Sequence, residues 1–400
     1  MKIGLIREGK TPPDSRVVLT PKQVKLALEQ YKTIEIFVQP SAHRCYSDEE
    51  YIKEGISIQE DLSDCDVLIG VKEIPINELY PNKIHFFFSH TIKAQPYNRK
   101  LLQAVLEKNI QLIDYECLTN DDGYRVIAFG RWAGIVGAHN GLYTWGKRTG
   151  SFKLKRANEC KDYEELKSLY NAIDIPPIKI VVTGNGRVAQ GSIEVLNAAG
   201  IKQVSPSEFL ENQYDEAVFT QLNCSDLYIR KSDGGFDQNE FYKHPALYDT
   251  LFAPYQSKTD LFINAIFWDP KAPAYFTLED MAAEDFSIKV IADITCDIAP
   301  EASVPSTIRP STIANPIYGF DPIEKNEVDP FGENSIDVMA VDNLPNELPR
   351  DASESFGDQF INEVLPELLK EQSAFIDRAS IAKNGDLTEK FEYLRSYVEG

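Results

Sequence analysis

No stretch of this 400-residue chain approaches the ~18 consecutive apolar residues that a membrane span requires, so a membrane-embedded role is not expected. Basic excess is lacking as well: 41 Lys and Arg face 62 Asp and Glu, for a net charge of −21. Phosphate backbones need a clustered cationic surface, so nucleic acid is excluded as an expected partner. None of the six cysteines (Cys45, Cys65, Cys117, Cys160, Cys224 and Cys296) forms a Cys-x-x-Cys pair. That spacing argues against zinc, and no metal site is expected. The opening Met1-Lys-Ile-Gly-Leu-Ile runs directly into polar sequence without signal-peptide character. The expected compartment is therefore the cytoplasm, with the thiols reduced and mostly buried.

What is present is an ordinary globular balance, 43% hydrophobic and 26% charged, in a chain long enough for two domains. In so acidic a protein, an anionic substrate must be met by a few placed cations.

Short apolar runs alternate with helical patterns through the first 130 residues. Lys2–Ile6, Ile34–Val38, Asp66–Val71, Ile84–Phe88 and Gln111–Tyr115 read as strands, and Thr20-Pro21 opens a helix with Thr as N-cap. Strands separated by helices imply βαβ units and a mostly parallel sheet. Gly130, Gly134, Gly137, Gly141 and Gly146 recur at near-helical spacing, which predicts a long, closely packed helix linking two lobes. Ile178–Thr183 is a strand, followed by a helix to Ala199, a stop at Gly200 and a second strand from Lys202 to Val204. Leu261–Ala265 and Ile288–Ile291 are further strands. The proline-rich stretch from Ala299 to Pro330 reads as loop, and the tail from Asp342 reads as helical, folding back on the first lobe. The expected fold is α/β: two Rossmann-like lobes with parallel sheets, a cleft between them, and long helices joining them. Residues 1–133 plus 331–400 would form the substrate lobe, and residues 134–330 the dinucleotide lobe.

Between the Ile178–Thr183 strand and its helix lies Gly184-Asn185-Gly186-Arg187-Val188-Ala189, a G-x-G-x-x-A pattern. The first glycine permits a tight turn, and the second admits the pyrophosphate close to the backbone. The small third residue lets the helix pack on the sheet, and the helix N-terminus favours phosphate charge. A purely structural glycine turn is the weaker alternative. The second strand ends Val204-Ser205-Pro206, without a carboxylate to repel a 2′-phosphate, while Arg230-Lys231 could meet one. That inclines the choice towards NADP(H), with NAD(H) kept open and solvated surface as the other reading of Arg230 and Lys231.

Three loops place ionisable groups just after strands: Val71-Lys72-Glu73, Ser89-His90-Thr91-Ile92-Lys93 and Asp114-Tyr115-Glu116. Strand carboxyl ends open onto the ligand crevice of parallel α/β sheets, and shielded Lys and His near carboxylates can be tuned towards neutrality. Arg16 and Arg125 are candidate carboxylate forks. Taken singly, such residues are more often structural or surface groups.

Their order along the chain is more specific. Arg16-Val-Val-Leu-Thr-Pro, Val71-Lys-Glu-Ile-Pro, Ser89-His-Thr-Ile-Lys93 and Tyr115-Glu-x-Leu-x-Asn-Asp-x-Gly-x-Arg125-Val resemble the alanine dehydrogenase / pyridine nucleotide transhydrogenase superfamily. Within it, the chain is similar to the lysine-forming saccharopine dehydrogenases and lysine–2-oxoglutarate reductases. The Gly184–Gly191 loop, Ile229–Asp233, Tyr242–Pro245, Phe262–Trp268 and Val341–Gly357 look like the reductases. The resemblance implies that Lys72 and His90 form an acid–base pair tuned by Glu73 and Glu116, with Lys93 and Asp297 beside the nicotinamide. It implies that Arg16, Arg125 and Phe129 bind substrate. Asp293, Asp342, Asn343 and Leu344 would join residues 184–189, Arg230 and Lys231 at the cofactor. The resemblance leaves NAD against NADP open, since fungal stand-alone enzymes use NAD and the fused reductases prefer NADPH.

The expected activity is nicotinamide-dependent oxidation or reduction at a CH–NH bond: condensation of L-lysine with 2-oxoglutarate to give saccharopine, or the reverse. The expected partners are these small molecules alone, with the protein a monomer or small homo-oligomer. Two alternatives are an alanine dehydrogenase-like enzyme and a nucleotide-binding regulatory protein without catalysis.

Overall fold

The computed structural model describes residues 1–400 and divides them into two compact units: residues 1–129 with 349–400, and residues 130–348. The chain leaves the first unit four residues earlier than expected and returns to it eighteen residues later. The later return arises because Ile336–Met339 pairs in parallel with Val290–Asp293 and is thereby a strand of the second lobe.

The first lobe is built on six parallel strands: β1 (Lys2–Leu5), β2 (Glu35–Val38), β3 (Ser57–Ile58), β4 (Val67–Ile69), β5 (Ile84–Phe87) and β6 (Gln111–Asp114). Their spatial order is β3-β2-β1-β4-β5-β6, so the winding reverses between β1 and β4. Helix α1 (Pro21–Gln30) starts as expected: Thr20 and Gln23 form a capping box, with Pro21 at the first helical position. The tail is not all helix. After a helix at Pro349–Gln359, Ser380–Lys383 and Asp386–Leu387 form a hairpin that lies antiparallel along β6 and closes that sheet edge.

The second lobe opens on helix α2 (Gly130–Thr149). Its glycine stripe serves contacts inside this lobe. A Cβ on Gly134 would stand 1.9 Å from the Val188 carbonyl oxygen, and one on Gly137 would stand 2.5 Å from Ile294. The strands are β7 (Lys179–Thr183), β8 (Lys202–Gln203), β9 (Val218–Leu222), a separate β10 (Tyr228–Arg230) and β11 (Tyr248–Thr250) hairpin, β12 (Leu261–Asn264), β13 (Val290–Asp293), β14 (Ile317–Asp321), β15 (Asn326–Val328) and β16 (Ile336–Met339). The main sheet runs β8-β9-β7-β12-β13-β16-β14-β15. Only the β14 pairings, with β15 and β16, are antiparallel there. These two strands fall in the proline-rich stretch that was expected to be loop. Tyr318 and Phe320 are buried beside Val338 and Ile336, and burial of that alternating face outweighs the local proline content. Helix α3 (Arg187–Ala198) follows β7 and ends where Gly200 takes φ +73°.

All six cysteines are free thiols; Cys65 and Cys117 are buried and the other four are half-buried. No helix is long and apolar enough to cross a membrane.

Candidate active site

In the first lobe the winding reverses between β1 and β4, and ligands of doubly wound sheets bind beyond the strand ends at such a point. The chain there carries Glu8 after β1, Lys72-Glu73 after β4, Ser89-His90 after β5 and Glu116 after β6. Glu8 spans the reversal: its carboxylate accepts the Val71 N–H at 2.6 Å and the Lys72 N–H at 2.8 Å. Burial, reinforced by Asp14, pushes this carboxyl up to about 8 against the pull of those two N–H groups.

Lys72 lies in the same shielded patch. Burial lowers its pKa from the usual lysine value, and the neighbouring cations Arg16 and Lys10 lower it further. The adjoining Glu73 carboxylate meets His90 Nδ1 at 2.5 Å, and Lys10 Nζ stands 3.5 Å from its other oxygen. Burial alone would raise Glu73, but the hydrogen bond and charge of His90 outweigh it and hold the carboxyl at about 2. His90 occupies the left-handed region at φ +52°, which is uncommon for a residue with a side chain. Its loop is held there by Asp114, which accepts from the Ser89 N–H (2.9 Å) and hydroxyl (2.5 Å) and from the Glu116 N–H (2.7 Å).

Both arginine forks are paired. Arg16, 3% exposed, donates Nε and a terminal nitrogen to Asp14 at 2.9 and 2.6 Å and lies 4.2 Å over the Phe129 ring. Phe129 in turn stacks on Phe356 at 4.3 Å. Phe129, expected to touch substrate, is a buried platform for Arg16. Arg125 is partly exposed and reaches Glu116 at 3.0 Å. One oxygen each of Glu73 and Glu116 is buried without a hydrogen bond, which fits a site that receives a donor from a ligand. Lys93 stands exposed on the turn after His90.

In the second lobe the G-x-G-x-x-A turn has the required conformation. Gly184 takes φ +93°, and a Cβ there would press to 3.0 Å on the Ala265 carbonyl oxygen and Ile266 Cβ. Around Gly186 nothing lies within 4 Å of a built Cβ, so the space over the turn is open. Gly186 is also the N-cap of α3 and offers no side-chain cap, leaving the first-turn N–H groups to a ligand. Ala189 is buried, as close helix packing demands. A Cβ on Gly191 would stand 2.1 Å from the Arg131 carbonyl oxygen, so α3 is pressed backbone to backbone on α2. Asn185 and Arg187 are exposed beside the turn, and Val188 is half-buried. These features fit a dinucleotide pyrophosphate.

Other expected cofactor contacts need correction. Asp293 is 0% exposed: Asn264 Nδ2 (2.9 Å) and Thr295 Oγ1 (2.7 Å) donate to one oxygen and Thr307 Oγ1 (2.6 Å) to the other. It orders the ends of β12 and β13 from within and does not face a ligand. The Leu344 side chain is buried, packed on the Gly137 face of α2. Asp342 is exposed, and Asn343 and Asp297 are half-buried. Arg230 belongs to the β10–β11 hairpin, where it donates to Glu240 (2.6 Å) and Asp233 (2.8 Å); Lys231 pairs with Asp249 at 3.4 Å. These cations are neutralised within their own hairpin, which removes the cationic one of the two grounds for the NADP(H) inclination. Glu8, Asp14 and the anchoring role of Asp114 were not foreseen, although Glu8 obeys the same strand-end rule as Lys72.

Residues 4–136 match the family model described as alanine dehydrogenase/PNT, N-terminal domain. The whole chain is similar in fold to an L-alanine dehydrogenase (TM-score 0.65, 15% identity, 100% of both chains) and to a transhydrogenase from Sinorhizobium meliloti (TM-score 0.58, 15% identity, 97% and 100%). The family match thus covers the first third of the chain, and the two solved structures share its fold. Among curated proteins, it is similar to L-lysine-forming saccharopine dehydrogenases. The Yarrowia lipolytica saccharopine dehydrogenase [NAD(+), L-lysine-forming] is 28% identical over 92% of both chains. The mouse mitochondrial alpha-aminoadipic semialdehyde synthase is 30% identical over 99% of this chain and 48% of its own length. The chain thus spans about half the length of the first such curated relatives.

Proposed function

We propose that this protein catalyses the nicotinamide-linked condensation of L-lysine with 2-oxoglutarate to saccharopine, or its reversal. The observation that carries the reading is the shielded Lys72, next to the Glu73 that holds His90, at the winding reversal of the first lobe. The name of the Yarrowia relative supplies saccharopine and L-lysine as the substrate class.

In the forward direction the lysine ε-amine attacks the keto carbon, the carbinolamine loses water, and the imine is reduced. A bound nicotinamide dinucleotide supplies the hydride. Proton transfer is needed twice, to take a proton from the amine and to give one to the departing hydroxyl. Lys72 and His90 are assigned to these transfers, each worth roughly 10² to 10⁴ in rate. Glu73 orients His90, and Glu8 fixes the backbone that presents Lys72. Arg125 and Arg16 bind substrate carboxylates and set the keto carbon in place. Residues 184–189 hold the dinucleotide; Lys93 and Asp297 are assigned to the nicotinamide end.

The cytoplasm as compartment, and a monomer or small homo-oligomer as the working form, belong to the same proposal. Cell fractionation and light scattering test them. The activity test is loss of reduced-nicotinamide absorbance on adding L-lysine and 2-oxoglutarate together. Turnover with both substrates and none with either alone is expected. Turnover with ammonia and pyruvate instead would identify an alanine dehydrogenase-like enzyme.

A further inference from the structure

The sheet order of the second lobe bears on which dinucleotide it takes. In the usual doubly wound order, the strand about twenty residues past the glycine turn lies beside the first strand, and its end meets the adenosine ribose. Here that strand, β8, is at the sheet edge, and β9 lies beside β7, paired from Lys179↔Val218 to Thr183↔Leu222. The end of β9 is tied to the glycine turn twice: Gly184 N–H donates to the Leu222 carbonyl at 2.8 Å, and Gln221 Nε2 donates to the Gly184 carbonyl at 2.8 Å.

The ribose position is therefore set by Asn223-Cys224-Ser225-Asp226, a segment without a cation. Its one charge is Asp226, whose carboxylate is fixed by accepting the Asn223 N–H at 2.8 Å. Arg187, at the head of α3, has its Cβ 3.4 Å from a Cβ built on Gly130, which puts its stem on the α2 side. Arg230 is held by Glu240 and Asp233.

We propose that the chain selects NAD(H) over NADP(H), and that Asp226 at the end of β9 is the determinant. A ribose 2′-hydroxyl donates a hydrogen bond to a carboxylate or to Asn223. A 2′-phosphate there would bring like charge against Asp226 with no cation to answer it. The inference rests on the dinucleotide reading of the Gly184 turn.

Calorimetric titration of the whole protein with NADH and with NADPH, without substrates, tests it. The expected result is tighter NADH binding by about tenfold or more, with the preference shrinking several-fold in Asp226→Asn, which keeps an acceptor for the Asn223 N–H. Arg230→Ala should leave the ratio unchanged. Equal or tighter NADPH binding by the unaltered protein, or an unmoved ratio in Asp226→Asn, would overturn the proposal. Binding of neither dinucleotide would overturn the parent reading and this one with it.

Discussion

His90 Nδ1 lies 2.5 Å from the Glu73 carboxylate, in a loop where His90 itself is held left-handed at φ +52°. The pair joins the ends of two adjacent strands, β4 and β5, so any change at either residue is felt by the other.

Removing a proton-transfer group should differ from removing a carboxylate binder. Lys72→Met and His90→Gln are expected to lose kcat by about 10² to 10⁴, with ionisations of the kcat/KM profile shifted or absent. Arg125→Ala should mainly raise KM for the oxo acid. Arg16→Ala is a poorer choice, because it strands the buried Asp14 carboxylate and would cost about 3 to 5 kcal/mol of stability. Near-normal turnover in Lys72→Met or His90→Gln would end the acid–base assignment.

Gly186→Val should abolish dinucleotide binding without unfolding the protein. The backbone there, φ −76° and ψ −174°, suits any residue, and a side chain meets only open space. Calorimetry with NADH beside a thermal melt separates the two effects. An unaltered affinity would make the loop a turn and nothing more.

Acid sensitivity has an identifiable source far from the chemistry. His85 is buried on β5 between Leu68 and Leu112, with neither ring nitrogen in a hydrogen bond of good geometry. Burial lowers its pKa to about 4, and burial does the same to His139. An unfolded histidine protonates near 6.5, so between there and about 4 the unfolded chain binds more protons and stability falls as pH falls. The slope is about 1.4 kcal/mol per pH unit for each such residue. His85→Leu should be as stable at pH 7 and lose less between pH 7 and 5, read from urea midpoints. Identical losses in both proteins would show that His85 does not carry this sensitivity.

Much of the fold was legible because its signals are local. The capping box at Thr20, the strand–turn–helix around Gly184 and the ionisable strand ends each depend on neighbours in sequence. Relations set by pairing partners were not legible. The exchange of β8 and β9 in the sheet order leaves each strand's own pattern unchanged, so the ribose position was sought after Val204 instead of Leu222. Tyr318 and Phe320 form a strand through β16, against the prolines around them. Arg230 reads as a free cation until the hairpin brings Glu240 beside it, and Asp293 reads as a site carboxylate until Thr307 is seen to donate to it.

The first lobe is interrupted in sequence, and synthesis on the ribosome must reckon with this. Residues 130–348 emerge as one uninterrupted unit and have all their sheet partners as soon as they are made. The first 129 residues must wait more than two hundred residues for the hairpin that covers β6. During that interval β6 is an open strand edge, the kind of surface that recruits chaperones or pairs with a neighbouring nascent chain. Truncations that lose Ser380–Lys383 should therefore aggregate during expression even though every residue of the glycine turn and the ionisable cluster is still present.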